Sequence, residues 1–264
     1  MESKFYQADE HRAEKVHELF ATIARRYDLL NDIMSLGLHR RWKRRVVELA
    51  GTQRNNSRGR NAAPTMKVLD LCCGTGDIAW LFARNGTSVI GADFTEEMLR
   101  VAAVRCGTGG TPVNGMKDLN SQAGRLRNLF WVRADALGLP FEDNTFDVVS
   151  VGYGLRNLAD IELGLREIRR VLRPGGKFLT LDFGKPESKV IRALYFGYLR
   201  MALPVLGRMF CGDPDTHGYI LASLQEYPAQ RGIKELMESC GYGDCGFEEF
   251  WLGSMAINFG SKVG

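Results

Sequence analysis

Apolar residues recur along the chain with two different spacings, and the change falls near residue 66. Over residues 11–50 they lie three or four positions apart, which predicts two or three helices ahead of the main fold. The positions that carry this spacing are Val16, Leu19, Phe20, Ile23, Tyr27, Leu30, Ile33 and Met34. From Met66 onward, short β-branched or apolar runs alternate with helical stretches. This alternation predicts βαβ units and an α/β fold with a parallel, helix-covered sheet.

The alternating region also predicts where each element begins and ends. The predicted strands are Lys67–Cys72, Ser88–Asp93, Leu129–Ala134, Phe146–Val151 and Phe178–Phe183. The predicted helices include Asp77–Asn85, Thr95–Arg105 and Asp160–Leu172. Two late apolar runs, Phe247–Phe250 and Met255–Gly260, predict two final strands.

Polar segments divide the chain into parts. Residues 51–65 lack periodicity, so they predict a linker between a helical cap at 1–50 and a main domain at 66–264. Residues 106–128 form a Gly-rich polar insertion in that domain. Residues 190–211 alternate aromatic and aliphatic side chains with single arginines. They predict either a helix packed over the sheet or, within about 186–228, a lid that shelters an apolar tail near a bilayer.

Composition narrows the class of protein. With 264 residues, 45% apolar and 25% charged, the chain is typical of one globular domain with an added subdomain. A net charge of +4 is too small to predict nucleic-acid binding, but it permits contact with an anionic membrane surface. The polar N-terminus predicts a cytoplasmic protein, or one inside an organelle if the chain is a processed mature form. Six cysteines without CxxC or zinc-like spacing predict reduced thiols and no metal.

The stretch VLDLCCGTGD at 68–77 carries the first chemical signal. A strand that runs into Gly74-Thr-Gly76 and then a helix brings backbone close to a ligand. Residues 74–79, GTGDIA, also match the dinucleotide-binding motif GxGxxA, so an NAD-dependent oxidoreductase is an alternative. Asp70 and Asp77 stand where a diphosphate would bind and would repel it. They favour a cationic ligand, and S-adenosyl-L-methionine carries both a sulfonium and an ammonium.

Acidic residues at three successive strand ends extend this prediction. Asp93 ends the second strand 23 positions after Asp70, where a carboxylate can bind ribose hydroxyls, and Asp135 follows the third strand, where it can accept from an adenine amino group. Capping acids of an ordinary α/β domain are the alternative. Cys72 predicts that its position does not need a positive φ. The candidate cofactor-binding residues are Asp70, Cys72, Gly74, Thr75, Gly76, Asp93, Phe94, Asp135, Ala136 and Gly152.

Three further motifs carry a family resemblance: YDLLNDIMSLGLHRRW at 27–42, GYGLRNL at 152–158 and RVLRPGGKFLTLDFGKP at 170–186. With the glycine turn they resemble the UbiE/MenG family of quinone-pathway C-methyltransferases, from His17 to about Gly260. The resemblance implies a class I S-adenosylmethionine-dependent methyltransferase. It also implies a Rossmann-like, mostly parallel seven-stranded sheet, helices on both faces, an antiparallel last strand and an N-terminal helical cap.

This family acts on demethylmenaquinol and polyprenyl benzoquinols, so the resemblance implies an isoprenoid quinol as substrate and S-adenosyl-L-homocysteine as product. The chain departs from the family at Cys72, where glycine is usual, and at Asp182 and Gly184, where Glu and Ser are common. Asp182 together with GYGLRN is more similar to the naphthoquinone branch, which includes the 2-phytyl-1,4-naphthoquinone methyltransferases. The benzoquinol activity is therefore the less expected one.

Methyl transfer to a ring carbon requires an electron-rich quinol, because the oxidised quinone is itself an electrophile. Arg156 can stabilise a phenolate or orient a water that takes the proton, and Asn157 can fix a ring oxygen. Tyr27 can close over the ring and assist proton transfer, and His39 is a second candidate base. The candidate substrate-binding residues are Tyr27, Asp28, Asn31, Tyr153 and Asp182. Alternatives are a surface turn for Arg156-Asn157, a solvated His39 and a core role for Tyr27.

Three functions follow from these observations. The first is a quinol C-methyltransferase, which would associate with a membrane surface and form a homodimer. The second is an oxidoreductase that binds NAD at the glycine turn. The third is a catalytically silent subunit of a quinone-biosynthesis complex, against which Tyr27, Arg156 and Asn157 argue. The basic run HRRWKRR at 39–45 is expected to be a solvated helix face, with contact to anionic lipid as the alternative.

Overall fold

A computed structural model describes residues 32, 35, 37–51, 66–108, 128–210, 221 and 223–264, and for 203–210 the backbone alone. The predicted linker and most of the predicted insertion lie outside these residues. The helices are α1 His39–Leu49, α2 Asp77–Arg84, α3 Glu96–Arg105, α4 Ile161–Val171, α5 Lys189–Phe210 and α6 Ala229–Ser239. The strands are β1 Lys67–Leu71, β2 Ser88–Asp93, β3 Leu129–Arg133, β4 Phe146–Gly152, β5 Leu172–Phe183, β6 Tyr242–Phe250 and β7 Met255–Lys262.

The seven strands form one sheet in the order β3-β2-β1-β4-β5-β7-β6. Strands β1 to β5 pair in parallel, and β7 runs antiparallel between β5 and β6. The order reverses between β1 and β4, and in such sheets ligands bind at that point, beyond the carboxyl ends of the strands. A ligand site is therefore expected beside the residues that follow β1, β2, β3 and β4.

Two apolar clusters cover the two faces of the sheet. Central strands are buried on both sides, so they are nearly continuous apolar runs such as FDVVSVG in β4. One cluster includes α1, α2 and the indole of Trp131, and the other includes α4 and α6. The Trp131 ring lies so close to Gly76 and Gly91 that a Cβ at either position would overlap it. Both glycines are thus required by the packing beneath the site.

Most predicted elements are confirmed within one or two residues, including the antiparallel last strand. The predicted start of the sixth strand at Phe247 is wrong, because β6 begins at Tyr242. The predicted start of the fifth strand at Phe178 is wrong, because extended backbone already begins at Leu172. Leu172 pairs with Phe146, and the register then shifts before Val148 pairs with Lys177. The intervening Gly175 has φ 76°, so the Pro-Gly-Gly segment forms an irregularity in the strand and not a turn ahead of it. Among the described residues, no helix is both long and apolar enough to cross a bilayer.

Candidate active site

The turn after β1 contains three residues with positive φ. Cys72 has φ 53°, Gly74 has φ 53° and Gly76 has φ 82°. The prediction that Cys72 sits where no positive φ is needed is therefore wrong. A side chain in this conformation is strained by about 1–2 kcal/mol, and glycine would adopt it without that strain.

The two adjacent thiols are packing groups in this structure. A Cβ at Gly154 would overlap the Cβ of Cys72, so Cys72 occupies the space that Gly154 leaves open. Burial raises the pKa of both Cys72 and Cys73 well above the ordinary value, and the surrounding carboxylates raise it further. Both thiols therefore stay protonated and are poor nucleophiles.

Asp70 supports the glycine turn from below. Its carboxylate accepts from the Ala79 N–H at 2.8 Å and from the Ser150 hydroxyl at 2.6 Å, which joins β1, α2 and β4. Burial raises the pKa of Asp70 to about 7, although both hydrogen bonds act in the opposite direction. Asp70 lines a small cavity with Lys43 and Asp77, and it does not line the larger cavity described below. Asp70 therefore positions the turn, and its role as a direct cofactor ligand stays a prediction.

Asp77, the first residue of α2, is held by two cations. The Lys43 ammonium lies 2.6 Å from Oδ2 and the Arg105 guanidinium lies 2.5 Å from Oδ1. Burial alone would raise the pKa of Asp77, but Lys43 and Arg105 outweigh it and hold that pKa below its ordinary value. The expectation that an uncompensated Asp77 repels a diphosphate is therefore wrong, because its charge is neutralised within the protein.

Lys43 is a site residue that the sequence does not predict, because it lies in the basic run at 39–45 and such runs usually form a solvated helix face. It is buried, its ammonium lies 5.9 Å from the centre of the Tyr153 ring, and it lines a small cavity with Thr75 and Asp77. The helical spacing of Trp42, Val46 and Val47 around Lys43 is the sequence signal that could have identified it, because it predicts a buried face. Thr75 is buried and its hydroxyl accepts from Arg105 at 3.0 Å. Arg105, the last residue of α3, thus binds both Thr75 and Asp77.

Asp93 connects the ends of β1 and β2. Its Oδ2 accepts from the Gly74 N–H at 2.8 Å and its Oδ1 from the Thr95 N–H at 2.9 Å. A carboxylate oxygen can accept more than one hydrogen bond, and a carboxylate with two oxygens suits two vicinal hydroxyls. Asp135 accepts from the Leu137 N–H at 2.9 Å at the end of β3. The two predicted acids thus lie on one cavity, as expected from their strand ends.

The larger cavity encloses about 890 Å³ of space, a figure that includes its open mouth. Its lining includes the predicted residues Cys72, Gly74, Asp93, Phe94, Asp135, Ala136, Gly152, Tyr153 and Asn157. Apolar walls from Leu71, Met98, Leu137 and Leu158 complete it. An adenosyl group fits this chemistry: a carboxylate for the ribose, apolar surfaces for the base, and glycine backbone for close approach.

Arg156 and Asp182, predicted separately, form one buried ion pair. The guanidinium lies 2.7 Å from Asp182 Oδ1, donates to the Tyr153 carbonyl at 2.7 Å, and stacks 5.0 Å from the centre of the Phe183 ring. Asp182 also accepts from the Phe183 N–H at 2.9 Å. The pair fixes the segment after β4 against the end of β5. Asp182 thus positions Arg156, and neither side chain lines the larger cavity.

Tyr153 and Asn157 bring this segment to the cavity wall. Tyr153 has φ 61° and is held by a bond from its N–H to the Leu181 carbonyl at 2.7 Å. Asn157 donates to the Tyr153 carbonyl at 3.3 Å. A non-glycine residue with positive φ at a cavity is a recognised mark of a functional turn. The predicted acceptor-side residues are therefore brought beside the adenosyl end of the site.

His39 lies elsewhere. Its Nδ1 is 2.7 Å from the Ser35 hydroxyl and its Nε2 is 3.6 Å from Asp32 Oδ1, and the side chain is buried at the start of α1. Burial, followed by the nearby Lys43, lowers the pKa of His39, so the imidazole is neutral near pH 7. It lines neither of the two cavities. The predicted residues Tyr27, Asp28 and Asn31 lie outside the described residues.

Tyr195 is a candidate that the sequence did not single out. It lies on the inner side of α5, with its ring 5.4 Å from that of Phe196, in a cluster with Phe183. Its hydroxyl is buried without a hydrogen-bond partner among the described residues. Burial raises the pKa of this hydroxyl, which therefore stays protonated and can donate.

Solved structures share this architecture. A protein of Thermotoga maritima described as a possible histamine N-methyltransferase superposes with a TM-score of 0.59 at 16% identity, covering 93% of this chain and 98% of that one. An S-adenosylmethionine-dependent methyltransferase of Aquifex aeolicus superposes with a TM-score of 0.53 at 17% identity, covering 84% and 89%. At such identity these likenesses concern the fold. The strand order and the glycine turn define a class I S-adenosylmethionine-dependent methyltransferase.

Sequence relatives identify the family. Residues 7–262 match the ubiE/COQ5 methyltransferase family, and the chain belongs to it. Proteins named ubiquinone/menaquinone biosynthesis C-methyltransferase UbiE are similar over nearly their whole length. That of Teredinibacter turnerae is 35% identical over 96% of this chain and 93% of its own, and that of Idiomarina loihiensis 36% over 94% and 90%. Membership in this family, and not the charge of Asp77, decides against the NAD alternative.

Proposed function

We propose that this chain methylates a ring carbon of a reduced isoprenoid quinol, with a naphthoquinol of the demethylmenaquinol type as the preferred acceptor. The observation that carries the proposal is the buried Arg156–Asp182 pair, which fixes Tyr153 and Asn157 at the wall of the larger cavity. The family match supports quinone-pathway chemistry in general. The preference for the naphthoquinol rests on Asp182 and the adjoining GYGLRN motif, which resemble the naphthoquinone branch.

The cavity residues divide into two groups in this proposal. Asp93 accepts from the ribose hydroxyls of S-adenosylmethionine, and Asp135 and Ala136 hold the adenine at the end of β3. When bound, the cofactor supplies an electrophilic methyl on a sulfonium. Gly74 and Gly152 line the cavity without a side chain, and a Cβ at Gly152 would also overlap the Cδ1 of Ile78. No residue of this set needs a metal.

The acceptor-side residues handle the proton and the ring. Asn157 fixes a ring oxygen, and the Tyr153 backbone sets the wall against which the ring lies. Arg156, whose charge is paired with Asp182 behind that wall, holds Tyr153 and Asn157 in place while the quinol hydroxyl gives its proton to a water. Tyr27 remains the proposed residue that closes over the ring. For His39, the contacts to Ser35 and Asp32 support a role in holding the start of α1.

The isoprenoid tail extends from the ring toward α5. The inner side of that helix presents Tyr195 and Phe196, with Leu199 buried behind them. These residues form an apolar cluster with Phe183, whose ring lies 5.0 Å from the Arg156 guanidinium, and the tail would lie against this cluster. The protein would thus take its substrate from a membrane surface to which it binds peripherally.

A competition assay tests the acceptor. The purified protein receives S-adenosylmethionine with equal amounts of chemically reduced demethylmenaquinol and demethylated benzoquinol, and mass spectrometry scores which ring gains a methyl. We expect the naphthoquinol product to dominate. Asp182→Glu, which introduces the residue common in similar proteins, is expected to shift the ratio toward the benzoquinol. A dominant benzoquinol product in the unmodified protein would contradict the preference.

A second experiment separates the two groups of residues. Arg156→Lys keeps the charge that pairs with Asp182 but loses the planar fork, so we expect turnover to fall by about tenfold or more with S-adenosylhomocysteine affinity kept. Asp93→Asn is expected to weaken that affinity by a similar factor. Equal loss of cofactor affinity in both variants would overturn the division of roles.

A further inference from the structure

One face of α5 is apolar and exposed. Val190, Leu194, Tyr198 and Met201 are 59–77% exposed, although each is a large hydrophobic residue. Their spacing of four, four and three residues places them within an arc of about 80° on the helix. The opposite side packs on the protein through the buried Leu199. The helix therefore carries two apolar faces, of which only one is covered by the described residues.

A second exposed apolar feature lies at the turn between β6 and β7. Trp251 and Leu252 are 49% and 74% exposed, and both have positive φ, at 50° and 57°. The Trp251 ring meets that of Trp42 edge to face at 5.8 Å, so the turn is held against α1. Two adjacent residues with strained backbone and exposed apolar side chains point to a contact made outside the chain.

The two features adjoin each other. The Gly184 N–H donates to the Ser254 carbonyl at 2.9 Å, and a Cβ at Gly253 would lie 3.2 Å from the Cα of Pro186. The turn thus packs on the segment that leads into α5. Strands β5 and β6 both end here, at the carboxyl edge of the sheet where the larger cavity opens.

The charge around this surface is positive. The 22 residues of α5 contain Lys189, Arg192 and two further arginines and no acidic residue. On the α1 side, Arg41 and Arg44 are exposed beside Phe250 at the foot of the turn. Two acidic residues lie close by, Glu48 beside Arg41 and Arg44 and the exposed Glu187 just before α5, so the cations outnumber the acids. Exposed apolar side chains combined with an excess of cations match the interface of an anionic bilayer, where each cation near the surface is worth about 1 kcal/mol.

We propose that this surface, formed by Val190, Leu194, Tyr198 and Met201 of α5 with Trp251 and Leu252, docks onto an anionic lipid bilayer. The proposal rests on the proposed function only in that an isoprenoid quinol resides in such a bilayer. Trp251 and Leu252 enter the headgroup boundary, and the outer face of α5 lies along it. The cavity mouth at the same edge then faces the lipid from which the substrate comes.

Vesicle sedimentation tests this docking. The full chain is mixed with vesicles of phosphatidylcholine alone or with phosphatidylglycerol added, and the bound fraction is measured. We expect binding to the anionic vesicles that salt weakens. The double variant Trp251→Ser with Leu252→Ser, and separately Leu194→Ser with Tyr198→Ser, should each reduce the partition coefficient by about tenfold or more, because each removes two large apolar groups from the contact. Val104→Ser is the matched control, since Val104 on α3 is 84% exposed outside this surface.

Tryptophan emission gives a direct readout. Of the four tryptophans, Trp42 and Trp131 are buried, and Trp80 is half-buried on α2, outside this surface, with the Arg84 guanidinium over its ring. A blue shift on adding anionic vesicles should therefore come mainly from Trp251 and should disappear in Trp251→Phe. Absence of binding to either vesicle, or equal binding by all variants, would overturn the proposal. Dimerisation that the same substitutions abolish would assign the surface to a second copy instead, and this too would overturn it.

A failure of docking can be distinguished from a failure of the proposed function. Methylation of a short-chain quinol in detergent does not require the bilayer, so the surface variants should retain that activity. If docking fails while this activity persists, the proposed function stands without the docking surface. If docking succeeds while no quinol is methylated, the surface stands without the proposed function.

Discussion

Replacing Arg156 by Met tests whether the buried pair holds the acceptor side of the site together. The Arg156 and Asp182 side chains are 8% and 3% exposed, with 2.7 Å between the paired atoms. Removing one partner of such a pair leaves the other charge uncompensated and destabilises by about 3–5 kcal/mol. Asp182 keeps the Phe183 N–H as a donor, so we expect the lower end of this range, about 3 kcal/mol.

The assay is urea unfolding of the ligand-free protein, followed by a thermal scan in which this loss corresponds to a decrease of roughly 6–12 °C. Asp182→Asn removes the charge but keeps an oxygen acceptor. The double variant Arg156→Met with Asp182→Asn leaves no uncompensated charge. Its free energy of unfolding should therefore exceed, by about 1–3 kcal/mol, the value expected if the losses of the two single variants simply add.

A control for this cycle lies on the surface of α3. Arg100 pairs with Glu96 at 2.7 Å in an exposed position, so Arg100→Met should change the free energy of unfolding by no more than about 0.5 kcal/mol. If Arg156→Met costs no more than Arg100→Met, or if the Arg156 and Asp182 effects simply add, the pair does not carry the rigidity that the proposed function requires.

Three further predictions concern the turn and its supports. Gly154→Ala should reduce the free energy of unfolding, because its Cβ overlaps that of Cys72, and adding Cys72→Gly should restore most of it; no rescue in urea unfolding would refute the contact. The folded-state pKa of Asp70, about 7, lies above its ordinary 3.8, so the folded chain binds the extra proton and its stability falls as pH rises between these values. Asp70→Asn should flatten that slope, and an unchanged slope would contradict the raised pKa. Lys43→Met should destabilise by about 2–3 kcal/mol because it removes a buried cation beside a carboxylate; an equal effect of exposed Arg41→Met on unfolding would contradict this.

The fold could be predicted largely from the alternation of apolar runs and helical stretches. Central strands buried on both faces leave short continuous apolar runs, and the acids at their ends mark the edge where a ligand binds. The start of β5 could not be predicted, because Pro174 and Gly175 have the composition of a turn. Only the pairing of Leu172 with Phe146 shows that the strand includes them.

The site was predictable in its residue types but less so in its contacts. Asp93, Asp135 and Asn157 reach one cavity because their positions follow from strand order. The pairing of Arg156 with Asp182 depends on how β4 and β5 align, which no spacing along the chain encodes. The burial of Lys43 was hidden by its basic neighbours, since a run of cations is commonly solvated. The strain at Cys72 could not be predicted, because a residue with a side chain normally indicates a negative φ, whereas Cys72 has φ 53°.

Isotope labelling distinguishes methylation of a reduced ring carbon from methylation of oxygen or of the oxidised quinone. The purified protein is incubated with S-adenosylmethionine deuterated at its methyl group and with demethylmenaquinone, either reduced or left oxidised, and the products are fragmented by mass spectrometry. We expect a deuterated methyl on the ring carbon only in the reduced sample. A label on oxygen, equal labelling of the oxidised quinone, or no label despite bound S-adenosylhomocysteine would contradict it.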